Sequence, residues 1–381
     1  MINSAPKTST SQRRVSRRAF LGGAVVAGGG ALAATGLATT SFGHRVLHHF
    51  FGSGYVAPTA RPTLTPRPGA QIWSWTLDPK NPLLDVLPGS PWEASAVFDP
   101  CVARRADGSL WMWYSTRGAR PSSIALAIDT SGTGSHFVRY AHNPVLTPDP
   151  PESAPATAIT RPSVVALLDG TWRMWYSTNS PDGPAGRAWI GTATSIDGVN
   201  WQKHGSPVMT PQPGWEQPAL QCPNVFYDAE SGRFMMWYCG GQVYEPDAVG
   251  FATSPDGITW TRHPANPIFK PTSGWEGYKV GSFQVHRVGA EYYAFYNAFQ
   301  NDPFVSQVGM ARSADGVTAW EHHPANPLLI PGPLGSWDAA MVYKPSALWD
   351  ERKQRWDVWF NASQVLNSFE RIGHAWSDRI W

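Results

Sequence analysis

The sequence predicts an all-β fold: a five-bladed β-propeller of four-stranded blades, in which an N-terminal strand completes the last blade. Three observations carry that prediction. A pattern of aromatic runs and Gly-containing turns recurs with a period near 60 residues, Gly191, Gly250 and Gly309 being separated by two steps of 59. Each unit holds four strand-like runs. The final unit is one run short, and a matching run stands at the start of the domain. Short aromatic strands of this kind cannot bury both faces alone, so stacking around an axis is the natural solution.

Taken in order, each unit opens on a Trp, usually followed by an acid, with Pro eight positions on: Trp92/Pro100, Trp215/Pro223 and Trp337/Pro345. Trp275 keeps the spacing but meets Phe283, and the second unit keeps only Pro162. A turn and a β-prone run follow, as DGSLWMWYS, DGTWRMWYS, SGRFMMWYC, GAEYYAFYN and KQRWDVWFN. The third run carries Gly-x-Ala-x-Ser at Gly191, Gly250, Gly309 and Gly373, degraded at Ala125. An Asp-Gly turn and a Trp then lead to Asn-Pro or Ser-Pro, as in SIDGVNW, SPDGITW and SADGVTAW. The chain ends at HAWSDRIW without that fourth run. Trp75 to Asn81 supplies it, with the same spacing of six as Trp260 to Asn266 and Trp320 to Asn326. Pairing the two ends would leave no free sheet edge.

The N-terminal 43 residues read as an export address. Arg13 to Gly43 places basic residues before a weakly apolar Gly/Ala-rich stretch, and Ser16-Arg17-Arg18-Ala19-Phe20-Leu21 matches the twin-arginine pattern. Ala31-Leu32-Ala33 has the small-x-small form of a cleavage site. Residues 44–71 are Pro-rich and read as an extended tether. The propeller is expected over 72–381, exported to the periplasm, cell surface or medium, monomeric, and with no stable membrane span. A formal net charge of +2 gives no basic stripe, which argues against nucleic acid as a partner. Three cysteines, Cys101, Cys222 and Cys239, show no Cys/His metal spacing. Cys101 and Cys222 flank equivalent prolines, so they are either disulfide partners near the axis or buried thiols.

An internal repeat separates scaffold from function. The acids after Trp (Glu93, Glu216, Glu276, Asp338) recur, as do the turn aspartates Asp197, Asp256 and Asp315, so both sets are assigned to structure. The residue before the repeat proline varies instead: Asp99, Arg161, Cys222, Ser282 and Lys344. The first strand of each blade lines the axis, so these five should ring one mouth of the funnel. They make either an ion pair across the axis or a polar pocket for a hydroxylated or anionic ligand. In the second case Asp99 is the acid, base or nucleophile.

The run FDPCV, followed by a DG turn and MWYS, resembles the first blade of glycoside hydrolase families 43 and 32, where such an Asp is base or nucleophile. Gln221-Cys222-Pro223 is similar to the Glu-Cys-Pro of invertases, with Gln where that family places its proton donor. Thr160-Arg161-Pro162 resembles Arg-Asp-Pro without the stabilising Asp. The related mannoside phosphorylases, family 130, use a single carboxylate and phosphate. The resemblance implies a carbohydrate substrate or ligand, with Asp99 catalytic and Arg161, Gln221, Asn224, His286 and Lys344 binding it. It also allows an axial Ca²⁺ that no ligand cluster compels; no cofactor is otherwise expected. Glu245 or Asp247 could replace the missing acid, as could His286, whose alternative is a core histidine. A second function class, a non-catalytic carbohydrate-binding propeller, stays open beside the hydrolase and the phosphorylase.

Overall fold

The computed structural model describes residues 75–149, 158–180, 187–242, 245–365 and 369–381. The signal expected at 1–43 and the tether at 44–71 lie outside the described residues. Within them the chain forms twenty strands and a short 3-10 turn at Gly274–Glu276.

The strands fall into five four-stranded sets. The first holds β2 (Ala96–Arg104), β3 (Leu110–Arg117), β4 (Ile124–Asp129) and β5 (Val138–Arg139). The second holds β6 (Ala158–Ala166), β7 (Trp172–Ser180), β8 (Arg187–Ser195) and β9 (Gln202–Lys203). The third holds β10 (Ala219–Asp228), β11 (Arg233–Gly241), β12 (Pro246–Ser254) and β13 (Thr261–Arg262); a parallel bridge from Ala219 to Ala188 joins it to the second. The fourth holds β14 (Lys279–Val288), β15 (Glu291–Asn301), β16 (Phe304–Ser313) and β17 (Glu321–His322). The fifth combines β18 (Met341–Asp350), β19 (Arg355–Ser363) and β20 (Arg371–Ser377) with β1 (Thr76–Leu77).

The expected closure is therefore present: β1 pairs antiparallel with β20, Thr76 opposite Trp376. Asn81 explains the repeated Trp-to-Asn spacing. Its side chain accepts from the His374 amide and donates to the His374 carbonyl, both at 2.8 Å, and so behaves as one more rung of the sheet. Asn143, Asn266 and Asn326 do the same to Leu126, Phe251 and Met310.

The other recurrent residues are likewise structural. Glu93 accepts from Tyr114 Oη at 2.8 Å and Glu216 from Tyr238 Oη at 2.7 Å, each also paired with an Arg of the outer strand. Asp256 caps its turn by accepting from the amides of Ile258 and Thr259. Gly250 and Gly309 are required because Trp215 and Trp275 lie directly on them; an added Cβ would stand 2.7 and 2.5 Å from those rings.

Neighbouring sets are tied through the aromatic runs. The Nε1–H of Trp113, Trp175 and Trp237 donates to the turn carbonyls of Gly198, Gly257 and Gly316 in the next set. Trp359 of the fifth set donates to Gly134 of the first, which completes the circuit. In the fourth set Phe295 has no N–H to offer, and packs edge-on against Trp356 of the fifth at 5.0 Å. Buried Trp, Tyr and Phe side chains between the sets supply the core.

Candidate functional site

The five residues before the repeat proline all adopt left-handed backbone: Asp99 (φ 51°), Arg161 (55°), Cys222 (53°), Ser282 (49°) and Lys344 (50°). A non-glycine residue held there costs of order 1–3 kcal/mol. Each lies at a break in register of its inner strand. The next residue is Pro in four of the five, which has no N–H to leave unpaired.

The break turns each backbone N–H toward the preceding set. Asp99 donates to Asn361 Oδ1 (3.0 Å), Arg161 to Ser115 Oγ (2.9 Å), Cys222 to Ser177 Oγ (3.0 Å) and Lys344 to Asn297 Oδ1 (3.2 Å). The Ser282 amide bonds the Cys239 sulfur. The strain is thus common to all five sets and serves the ring. What differs is the side chain each set presents at the axis.

Those side chains line one pocket, as the sequence anticipates. Asp99 is buried, with Lys344 Nζ at 3.3 Å and Arg161 Nε at 3.9 Å from its Oδ1, and Ser115 Oγ donating to Oδ2 at 3.0 Å. The expected ion pairs across the axis are present, and their side chains form part of the pocket wall. The cavity itself is small, about 20 Å³, which is room for one water molecule. A sugar ring would have to lie above this floor rather than inside it.

Asp99 is not the only acid in electrostatic reach of the axis. Burial pushes the Glu245 carboxyl above the usual range, although Lys344 and Arg161 pull it down. Glu370 is also buried, but the charges of Arg117 and Lys344 and a bond from Tyr343 outweigh that and hold its carboxyl low. Glu370 accepts from Arg117 Nη2 at 2.7 Å and from Asn361 Nδ2 at 3.0 Å, so it orients the amide that receives Asp99 N–H. Lys344 is pulled down by burial and raised above its ordinary value by Asp99 and Glu245.

The remaining sequence-based candidates fare differently. Gln221 is fully buried beneath the ring; its Oε1 accepts from Arg161 Nη1 and its Nε2 donates to the Gln242 carbonyl at 2.6 Å. It aims Arg161. Asn224 accepts from the Val285 amide at 2.8 Å and donates to Gln284 Oε1, which makes it a tie between the third and fourth sets. His286 lies four residues beyond Ser282, outside the pocket wall and edge-on to Trp356, where burial lowers its pKa to about 4. Asp247 pairs with Lys279 Nζ at 2.9 Å. The three cysteines are free, so the alternative of buried thiols holds; Cys101 accepts from the Val164 amide.

Glu370, Arg117, Tyr343 and Asn361 were missed as site residues. A signal for Asn361 exists: it is the polar third position of the WYS run, equivalent to Ser115, Ser177, Cys239 and Asn297. Among the described residues, no group of three or more His, Cys, Asp or Glu is placed to hold a metal ion. The axial Ca²⁺ allowed by the resemblance does not fit, because Asp99 already faces two cations and a divalent ion would add to the repulsion.

The fold is similar to that of solved glycoside hydrolase propellers. No family model matches the chain. The A type blood N-acetyl-alpha-D-galactosamine deacetylase of Flavonifractor plautii is 25% identical over 313 residues, 67% of this chain. The chain spans only 39% of the length of that curated relative. Among solved structures, a glycosyl hydrolase from Bacteroides ovatus superposes with a TM-score of 0.65 at 17% identity, over 81% of this chain and 94% of that one. The F. plautii deacetylase bound to blood group B trisaccharide gives 0.63 at 19%, over 80% and 95%. A structure from the GH130 family of mannoside phosphorylases, described as containing hydrolases of β-1,2 mannosidic linkages in Candida mannan, gives 0.63 at 15%, over 83% and 95%. At these identities the structural likeness is one of fold. Among the described residues, no helix is long and apolar enough to cross a membrane.

Proposed function

We propose that this protein is a carbohydrate-active enzyme that binds a glycan over the axial pocket and cleaves it with Asp99 as base or nucleophile. The carrying observation is the chemical asymmetry at the axis. One carboxylate, Asp99, is gripped by Lys344 and Arg161, while a second carboxyl, Glu245, within electrostatic reach of the same two cations, has its pKa raised by burial. Glycoside cleavage needs that division of labour, one carboxyl group carrying a proton for the leaving oxygen and one acting as base or nucleophile. Gln221 cannot donate the proton, and both ends of its amide are engaged. Glu245 is therefore assigned the acid role, with Glu370 and Asn361 orienting Asp99. The twin-arginine reading of residues 1–43 places this chemistry outside the cytoplasm.

A second reading, phosphorolysis, draws on two cations converging at one mouth, since Arg and Lys both suit a phosphate. The test is to incubate the protein with glycan and aryl-glycoside panels, N-acetylated sugars included, with and without phosphate, and to identify products by mass. Phosphate-independent cleavage supports the hydrolase, and sugar phosphates support the phosphorylase. Release of acetate alone would align the chain with its curated relative, and binding without turnover would make it a lectin-like propeller.

A further inference from the structure

Two of the three thiols share one buried cluster beside the axial pocket. Cys222 sits in the pocket wall on β10, its sulfur accepting from Ser282 Oγ at 3.6 Å. Cys239 lies on β11, opposite Gln221, and packs in the same buried core cluster as Cys222. The amides of Ser282 and Phe283 also donate to the Cys239 sulfur. The guanidinium of Arg161 stands beside the pair on the pocket side.

From this geometry we infer that Cys222 and Cys239 are a peroxide-sensitive dithiol opening on the axial pocket, with Cys222 the attacking sulfur and Cys239 the resolving one. In the first step the Cys222 thiolate attacks hydrogen peroxide; an S–O bond forms, the O–O bond breaks and hydroxide leaves. In the second, the Cys239 sulfur attacks the sulfenic acid, an S–S bond forms and the S–O bond breaks. The departing hydroxyl takes the Cys239 proton as water. Two electrons pass from the sulfur pair to peroxide, and the by-products are one water and one hydroxide, which becomes a second water by taking up the proton that Cys222 released on ionising.

Three features select this pair. Only Cys222 among the cysteines lines the pocket, so it is the sulfur that a small oxidant entering there meets first. Burial and the charge of Asp99 would raise the Cys222 thiol, but its Cys239 neighbour and the charge of Arg161 outweigh them and lower it to about 7, which favours the reactive thiolate. Cys101 supplies the contrast: burial pushes its thiol up to about 11, and its sulfur accepts from the Val164 amide. Closing the disulfide would also draw the Cys222 sulfur from Ser282 and remove a negative partner from Arg161.

The proposal does not depend on the glycan reading, because its readout is covalent. The full-length protein is treated with hydrogen peroxide, digested without reduction and mapped by mass spectrometry. The expected product is a peptide pair linking Cys222 to Cys239, lighter by two hydrogens and separated by dithiothreitol, with Cys101 unmodified. The Cys239→Ser variant should instead add oxygen at Cys222, and Cys222→Ser should leave Cys239 reduced. An unmodified Cys222 under peroxide that fully oxidises free cysteine would overturn the proposal. So would a linkage through Cys101, or oxidation of Cys239 in Cys222→Ser at the parent rate.

Discussion

The backbone amide of Asp99 donates to the side-chain carbonyl of Asn361, 3.0 Å away and 262 positions along the chain. That bond ties the first strand set to the last, and it places the proposed reacting carboxylate at the seam between them. Closure and site therefore share residues, and variants can be chosen to separate them.

Asn81 contributes to closure alone. Asn81→Ala removes both side-chain bonds to His374, which at about 0.5–1.5 kcal/mol each should cost about 1–3 kcal/mol in denaturant unfolding. Asn266→Ala, which removes equivalent bonds inside a covalently continuous set, should cost a similar amount but leave β1 protected. Hydrogen exchange reads the difference: amides of β1 and β20 should exchange faster only in Asn81→Ala.

Glu370 should shape stability at low pH. Its carboxyl is held below its unfolded value, so its contribution is fully present above the ordinary carboxylate range and is lost as pH falls through the depressed value. The stability gap between the parent and Glu370→Gln should accordingly shrink as pH falls through and below the ordinary carboxylate range. Denaturant melts across that window test the sign; a gap that widens on acidification would contradict it.

Glu245 carries the opposite sign, because its carboxyl is raised. As proton donor it works only while protonated, so turnover should fall as pH rises through its elevated pKa. Glu245→Gln should lower kcat by about 10²–10⁴ on substrates with poor leaving groups, and much less on activated aryl glycosides. Equal losses on both classes would remove Glu245 from the acid role.

Replacing Arg17 and Arg18 together by Lys should retain the protein in the cytoplasm, since the twin-arginine receptor reads that pair. Cell fractionation measures it. Normal export of the double variant would mean that another route recognises residues 1–43.

The architecture was legible because repetition makes it so. The split repeat at Trp75 to Asn81 reported the closure, and the variable residue before each proline reported the ring of Asp99, Arg161, Cys222, Ser282 and Lys344. What the sequence hid was which side chains approach the ring from elsewhere. Glu370 reaches Asp99 through Asn361, and no local spacing joins these positions. Asn224 and His286 misled for the complementary reason. A polar residue near the axis in sequence can be directed along the ring to a neighbouring strand, as Asn224 is to Val285, or packed on an aromatic, as His286 is on Trp356.

The central claim is that Asp99 is the reacting carboxylate, and Asp99→Asn tests it most directly. Asparagine keeps the shape and can still accept from Ser115, but it leaves Lys344 and Arg161 without their shared negative charge. The folded spectrum should persist with a lowered melting temperature, while turnover of a verified glycan substrate drops to background. Cleavage by folded Asp99→Asn at the parent rate would contradict the account, leaving Asp99 a structural partner of two cations and placing the chemistry elsewhere.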